Sequence, residues 1–221
     1  MKVAVMQPYF FPYLGYFQLI NAVDIWVNMD HAKFIKKGYM HKNTIQGNQI
    51  IRVPLLGASQ NLNTREIKVD LQSKDLIKLR STLEHQYKKT PFFQKAIEMF
   101  DLAISLKPQS LAELNFQIIK NIHSYLGMNT NLLNTSIGMT NKPRTEGIIE
   151  IVKNCKGSEY INAIGGRDIY ENQSFLEHGV NLKFLNMTSE HPEDRLSIFH
   201  LLANLPTVEI KCRLDCYELV S

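Results

Sequence analysis

The sequence predicts an α/β fold with a mixed, mainly parallel sheet, flanking helices and a helical insertion. Three observations carry this. The first thirty residues read as strand, loop, helix, strand. A second strand–helix–strand unit spans residues 159–186. Between them, roughly 73–127, apolar residues recur at helical spacing. A chain of 221 residues with no linker, repeat or low-complexity stretch reads as a single domain carrying that insertion as a cap.

The elements follow in order. Lys2–Met6 is a short apolar run ending at Gln7-Pro8, as expected of a central parallel strand. Pro8 cannot donate to a ladder, so the strand stops there. Residues 9–15 form a loop and Tyr16–Ala22 a short helix, before a second strand at Asp24–Met29. Asn43–Ile45 and Ile50–Pro54 flank a turn at Gln46-Gly47-Asn48, and Glu66–Val69 is another strand. Leu76, Leu79, Leu83 and Tyr87 mark a helix to Lys88, and Pro91 opens another that reaches about Leu106. Ser110, with Glu113 three residues on, caps a long helix that ends at Gly127. A loop at 129–143 precedes a helix at Arg144–Cys155. Strands at Glu159–Ala163 and Asn181–Asn186 flank a Gly165-Gly166 turn and a short helix at Tyr170–Glu177.

Composition excludes several classes. Hydrophobic residues at 44% and charged residues at 21% are ordinary for a globular protein. No stretch approaches the ~20 apolar residues of a membrane span. The opening apolar run is broken by Gln7, Pro8 and Pro12 and lacks a cleavage site, so it does not read as a signal peptide. The three cysteines, Cys155, Cys212 and Cys216, are odd in number and fit reduced thiols in the cytoplasm. No second pair completes a metal site with Cys212 and Cys216, and no metal is expected. A net charge of +4 suits an anionic small molecule. No nucleic-acid-binding module accompanies it, so nucleic acid is not the expected partner.

Four segments carry candidate chemistry. Gln7–Tyr16 lies at the carboxyl end of the first strand, where open α/β sheets place ligands. With Phe17 it supplies six aromatics, Tyr9, Phe10, Phe11, Tyr13, Tyr16 and Phe17, besides an amide at Gln7 and a glycine for close approach at Gly15. Rings with a few polar groups are the usual lining of a small-molecule cleft, although core packing would also employ them. In the second segment, Asp30 ends the second strand, and Lys36, Lys37, Lys42 and Asn43 follow with positive charge and an amide. Third, Arg144 and Thr145, with Lys142-Pro143, open a helix whose N-terminus attracts anions. Fourth, the Gly165-Gly166 turn has the makings of a phosphate nest. There is no Gly-x-Gly-x-x-Gly run, Walker loop, His-Glu-x-x-His or nucleophile elbow.

The run Gln7-Pro-Tyr-Phe-Phe-Pro-Tyr-Leu-Gly-Tyr-Phe resembles the opening signature of the WbqC-like family. The likeness continues through Asp24, Asp30, Lys36-Lys37 and Asn43, then Gln86-Tyr87-Lys88 and Leu126-Gly127. Later it takes in Arg144-Thr145, Tyr160, Gly165-Gly166, Tyr170 and Leu196-Ser197. Lys42 stands where arginine is usual and His200 where an acid is usual, and the last fifteen residues match poorly. The resemblance implies a role beside sugar-nucleotide and glycosyltransferase functions in O-antigen or capsule synthesis. It further implies transfer of an acyl or aminoacyl group to an amino sugar. A weaker likeness is to nucleotidyltransferases with a His-x-Gly-His loop, whose slot Tyr13-Leu-Gly-Tyr16 occupies without the histidines.

The expected reading is therefore a cytoplasmic transferase acting on a nucleotide-linked amino sugar. Tyr9, Tyr13 and Tyr16 stack the base or sugar, and Lys36, Lys37, Lys42 and Arg144 hold the diphosphate. Asp30 is the general base, with His41 or His200 in reserve because their unperturbed pKa lies near neutrality. The expected donor is a carrier-protein or coenzyme A thioester; the residues name no cofactor. The alternatives are a nucleotidyl- or adenylyl-transferring enzyme and a non-catalytic nucleotide-sugar-binding partner.

Overall fold

Alternate side chains of the opening strand serve two separate apolar layers. In the computed structural model, which describes residues 1–134 and 144–221, β1 (Lys2–Met6) turns Val3 and Val5 to one cluster and Ala4 to the other. A strand buried on both faces has this composition. The loop after it leads into α1 (Leu14–Asn21), buried from Leu14 to Ile20, and then to β2 (Ile25–Asn28), parallel to β1.

The chain then leaves the sheet. A hairpin, β3 (Lys42–Ile45) and β4 (Gln49–Arg52), closes through Gly47 (φ 71°) and Asn48 (φ 57°). Left-handed backbone at both positions is what glycine and asparagine supply most readily. A second pair, β5 (Leu55–Leu56) and β6 (Lys68–Val69), precedes α2 (Lys74–Tyr87), α3 (Phe93–Ser105) and α4 (Leu111–Tyr125). Ser110 accepts from the Glu113 amide as the expected cap, while the Glu113 carboxylate takes the Gln109 N–H, one residue before the usual partner. Gly127 (φ 60°) ends the helix.

The chain re-enters the sheet as β7 (Asn131–Asn134), where sequence reading expected loop. Four residues pairing at a sheet edge, polar at both ends, carry too little pattern to announce a strand. α5 (Arg144–Asn154), β8 (Glu159–Ala163), α6 (Asn172–Leu176) and β9 (Asn181–Met187) follow. Three further elements had no sequence assignment: α7 (Ile198–Asn204), α8 (Thr207–Leu214) and β10 (Tyr217–Val220).

The six-stranded sheet runs β10-β9-β8-β1-β2-β7, parallel except where β10 opposes β9. One face carries α1 and a cluster with α3, α4, α7 and α8; the other carries Ile148, Ile149, Ile151 and Val152 of α5 and Phe175 of α6. The sheet is thus mixed and mainly parallel with flanking helices, and the helical insertion lies between β2 and β7. No helix among the described residues is long and apolar enough to cross a membrane.

Three buried side chains fix the loop between β1 and α1. The Asn43 amide donates to the carbonyls of Phe10 (3.2 Å) and Phe11 (2.7 Å). The Asn115 amide donates to those of Pro8 (3.0 Å) and Met40 (2.6 Å). Ser197 adds its hydroxyl to the Phe11 carbonyl at 2.9 Å, and the Ile198 N–H meets the Pro12 carbonyl at 2.8 Å. Phe11 sits at φ 41°, a conformation that costs a bulky L-residue roughly 1–3 kcal/mol and persists only where its surroundings enforce it. Asn115→Ala strips the Pro8 and Met40 carbonyls of these donors and is expected to cost about 1–3 kcal/mol for each carbonyl left unpaired. The check is a lower urea midpoint at unchanged m-value.

Candidate functional site

The sheet's strand order reverses direction at β1. From β1 the chain passes through α1 to β2 on one side, while β8 and β9 extend the sheet on the other. A crevice at the carboxyl ends of β1 and β8 is the geometric consequence, and ligands of open α/β sheets bind there. Such a cleft is present, with a volume of about 320 Å³. β1 and its extension give it Met6 and Gln7; β8 and the turn beyond give Asn162, Gly165 and Gly166; Arg144 at the start of α5 stands beside them. Met29, Ile169 and Tyr170 also line it, and Tyr9, Tyr13 and Tyr39 wall it on one side. The same three tyrosines line an adjoining cleft of about 370 Å³, completed by Pro12, Asn43 and Arg195.

The aromatic segment divides into two roles. Tyr9 and Tyr13 face the clefts, whereas Phe10, Phe11 and Phe17 are fully buried. Tyr16 corrects the expectation that it would stack on a ligand: it is 2% exposed and donates its hydroxyl to the Gln7 carbonyl at 2.7 Å. Burial raises the Tyr9 and Tyr13 phenols above their usual pKa, an effect opposed by Arg144 at Tyr9 and by Arg195 at Tyr13. Both rings therefore remain neutral hydrogen-bond donors at physiological pH.

The glycines act through close approach. A Cβ on Gly15 would stand 2.5 Å from the Tyr13 ring, so this glycine lets the ring lie on the first turn of α1. A Cβ on Gly166 would stand 2.2 Å from the Asn162 amide nitrogen, whose side-chain oxygen accepts from the Ala163 N–H at 2.9 Å. Gly165 has open space around it.

Positive charge comes from elsewhere than expected. Lys36 and Lys37 are exposed and line neither cleft, and Lys42, on β3, is also absent from both. Arg144 does line the first cleft, but Thr145 does not, and Lys142 and Pro143 lie outside the described residues. Arg195, not singled out from sequence, stands at the second. Neither arginine has a carboxylate within ion-pair reach among the described residues. Asn43 touches the second cleft, but its amide is committed to the loop carbonyls.

The three expected bases are likewise placed apart from the tyrosines. Asp30 lines a different cleft, of about 350 Å³ at the ends of β2 and β7, with Asn28, Arg65, Lys120 and Asn134. The chain turns at this point: β2 ends at Asn28, Met29 faces the tyrosine cleft, and the Asp30 N–H bonds back to the Asn28 carbonyl at 3.0 Å, which puts Asp30 with Asn28 in the other cleft. His200 sits on α7 with its Nδ1 3.2 Å from the Tyr87 hydroxyl. His41 packs its ring 5.2 Å from that of Phe34, with Nδ1 buried and without a hydrogen-bond partner among the described residues. No carboxylate or imidazole lines either tyrosine cleft among the described residues.

Sequence reasoning missed Tyr39, Asn162 and Arg195. Asn162 carried a signal, a polar side chain near the carboxyl end of an apolar parallel strand. Tyr39 lies amid lysines beside a glycine, and Arg195 in a mixed-charge stretch. Only contacts such as Ser197 to Phe11 bring Arg195 to the site, and local pattern does not encode them.

Fold and crevice together define an α/β protein with an aromatic, cation-flanked cleft at the switch point of its sheet. The chain belongs to the WbqC-like protein family, whose sequence profile matches residues 7–210. It is also 26% identical over 191 residues to the uncharacterized protein Rv1507c of Mycobacterium tuberculosis, covering 84% of this chain and 82% of that protein. No solved structure matches the chain.

Burial, aided by the Lys42 and Arg52 charges, lowers the His41 pKa from 6.5 to about 4. The unfolded chain therefore takes up a proton that the folded chain refuses, so this contribution to stability is complete above 6.5 and is lost as pH falls towards 4. The thermal midpoint is expected to drop across that window, and His41→Gln to make the drop shallower, as followed by circular dichroism.

Proposed function

We propose that this protein is a cytoplasmic transferase of surface-polysaccharide biosynthesis. On this reading it transfers an acyl or aminoacyl group to the amine of a nucleotide-linked amino sugar. The observation that carries the reading is the tyrosine-walled crevice at the switch point, with an arginine on each side that has no carboxylate partner among the described residues. Aromatic walls accept the flat face of a base or the apolar face of a sugar. A guanidinium at a helix N-terminus suits a diphosphate, through both its fork of donors and the helix dipole. Membership of the WbqC-like family and the surplus positive charge support the same substrate class.

In the reaction proposed, the amine nitrogen of the sugar attacks the carbonyl carbon of a thioester. A C–N bond forms, the C–S bond breaks and the sulfur leaves as a thiol. Starting from the ammonium, two protons are released, one ending on that thiol and one in solvent. Tyr9, Tyr13 and Tyr39 orient the reactants and exclude water, Gln7 and Asn162 offer amides to sugar hydroxyls, and Arg144 fixes the diphosphate. With no carboxylate or imidazole lining the clefts among the described residues, the rate follows the fraction of free amine. It is therefore expected to rise with pH until the amine's own titration is complete, as a pH–rate profile would show.

The same lack of an acid–base group among the described lining residues favours one second reading, a partner that binds a nucleotide sugar without turning it over. The two are separated by incubating the protein with UDP- and dTDP-amino sugars and acyl thioesters, and following free thiol and product mass. The transferase reading expects both signals. Binding without either supports the partner instead, and pyrophosphate released from ATP would indicate nucleotidyl transfer. Arg144→Ala is expected to weaken nucleotide-sugar binding roughly tenfold or more, the worth of a charged hydrogen bond. Unchanged affinity in calorimetry would remove Arg144 from the site.

A further inference from the structure

A direct transfer between two substrates bound together needs two adjoining compartments, and two clefts share the tyrosine wall. At about 320 and 370 Å³ the clefts lie near the lower end of small-molecule sites, roughly 300–1,000 Å³. Each has room for one substrate moiety, and neither for both substrates together. Each carries its own arginine, Arg144 in one and Arg195 in the other.

Arg195 is exposed, and the backbone on either side of it is anchored. It ends a tight turn, Pro192–Arg195, whose acidic residues are engaged by another cation. The Arg213 guanidinium donates to Asp194 at 2.7 Å and to Glu193 at 3.1 Å, and also to Glu209 at 2.7 Å. Asp194 is fully buried and accepts a further hydrogen bond from the Ser189 hydroxyl. On the other side, the Ser197 N–H donates to the Thr44 carbonyl at 2.8 Å and its hydroxyl to the Phe11 carbonyl. The backbone is thus pinned both before and after Arg195. The nearby carboxylates are spent on Arg213, and the Arg195 charge stands over the cleft beside the Tyr13 ring.

We infer that the cleft of Tyr9, Pro12, Tyr39 and Arg195 is a second ligand subsite, which binds the phosphate ester of the group donor's thioester-bearing arm. This assignment rests on the transferase reading above. The sugar nucleotide then occupies the Arg144 cleft, and the group crosses the tyrosine wall between them. The phosphate common to coenzyme A and to a carrier protein's phosphopantetheine is the feature recognised.

The test uses UDP, coenzyme A and 4′-phosphopantetheine as calorimetric probes of the full chain. UDP and coenzyme A are expected to bind together, each with its affinity unaltered by saturation with the other. Arg195→Ala is expected to weaken coenzyme A and phosphopantetheine roughly tenfold or more while leaving UDP unaffected, and Arg144→Ala to do the reverse. Equal affinities for coenzyme A and phosphopantetheine mean that the nucleotide end goes unread, as a carrier-protein donor requires; tighter coenzyme A identifies the free cofactor. Mutual exclusion of the two probes, or an Arg195→Ala protein of unchanged thermal midpoint that binds coenzyme A normally, overturns the subsite. The transferase reading is tested separately. Wild-type turnover and donor KM in Arg195→Ala would sink the subsite alone, whereas Arg195-dependent binding with no group transfer would sink the transferase alone.

Discussion

The loop between β1 and α1 turns its carbonyls inward, and the architecture depends on meeting them. Five residues from Pro8 to Pro12 leave a central strand, bury Phe10 and Phe11, and force Phe11 into a left-handed backbone. No ladder serves their carbonyls. Side chains from three remote places do so instead: Asn43 on β3, Asn115 on α4 and Ser197 at the cap of α7. A buried carbonyl without a donor costs about 1–3 kcal/mol, more than the net worth of the bond it lacks. The insertion and the C-terminal helices must therefore dock on this loop together, because each holds a donor that the loop requires.

That requirement ties the site to the core. Phe10 and Phe11 point inward as anchors, and Tyr9 and Tyr13, on either side of them, are thereby turned to the crevice. Asn43 serves both functions, lining the second cleft while its amide closes the loop beneath. A ligand meeting Tyr9 and Tyr13 meets rings whose backbone is already fixed, so little ordering entropy remains to oppose binding.

The strands of the sheet and the capped helices were legible because burial repeats along them. KVAVM has a strand's apolar run, and Ser110, Glu113 and Gly127 bracket α4 at the right distances. The site was half legible. Gln7, Tyr9, Tyr13, Arg144, Gly165 and Gly166 do converge, because position after a strand's carboxyl end or at a helix's start is a local property. What failed was anything requiring side-chain direction or long-range contact. Tyr16 differs from Tyr13 only in its place on α1, which points it into the core. Asp30 follows Met29 by one residue in the turn after β2, and that turn sends it to another cleft. Lysines 36 and 37 read as phosphate ligands by type, but nothing in a polar stretch states which way it lies. Arg195 had no local mark, since residues 197 and 11 must meet in space before it reaches the cleft.

The absence of acidic and imidazole groups from the described lining bears on how such a cleft would assist a reaction. A site without its own base can still act by approximation. Holding two reactants in register removes translational and rotational freedom from the barrier, an effect worth up to roughly 7–11 kcal/mol in well-oriented systems. Approximation demands rigidity above all, since a small misplacement forfeits it. Rigidity is what this loop has in surplus: a strained residue, two prolines, and donors on the carbonyls of Pro8, Phe10, Phe11 and Pro12. The strain at Phe11 and the many latches are thus consistent with one physical purpose, a wall of rings that does not move when a ligand arrives.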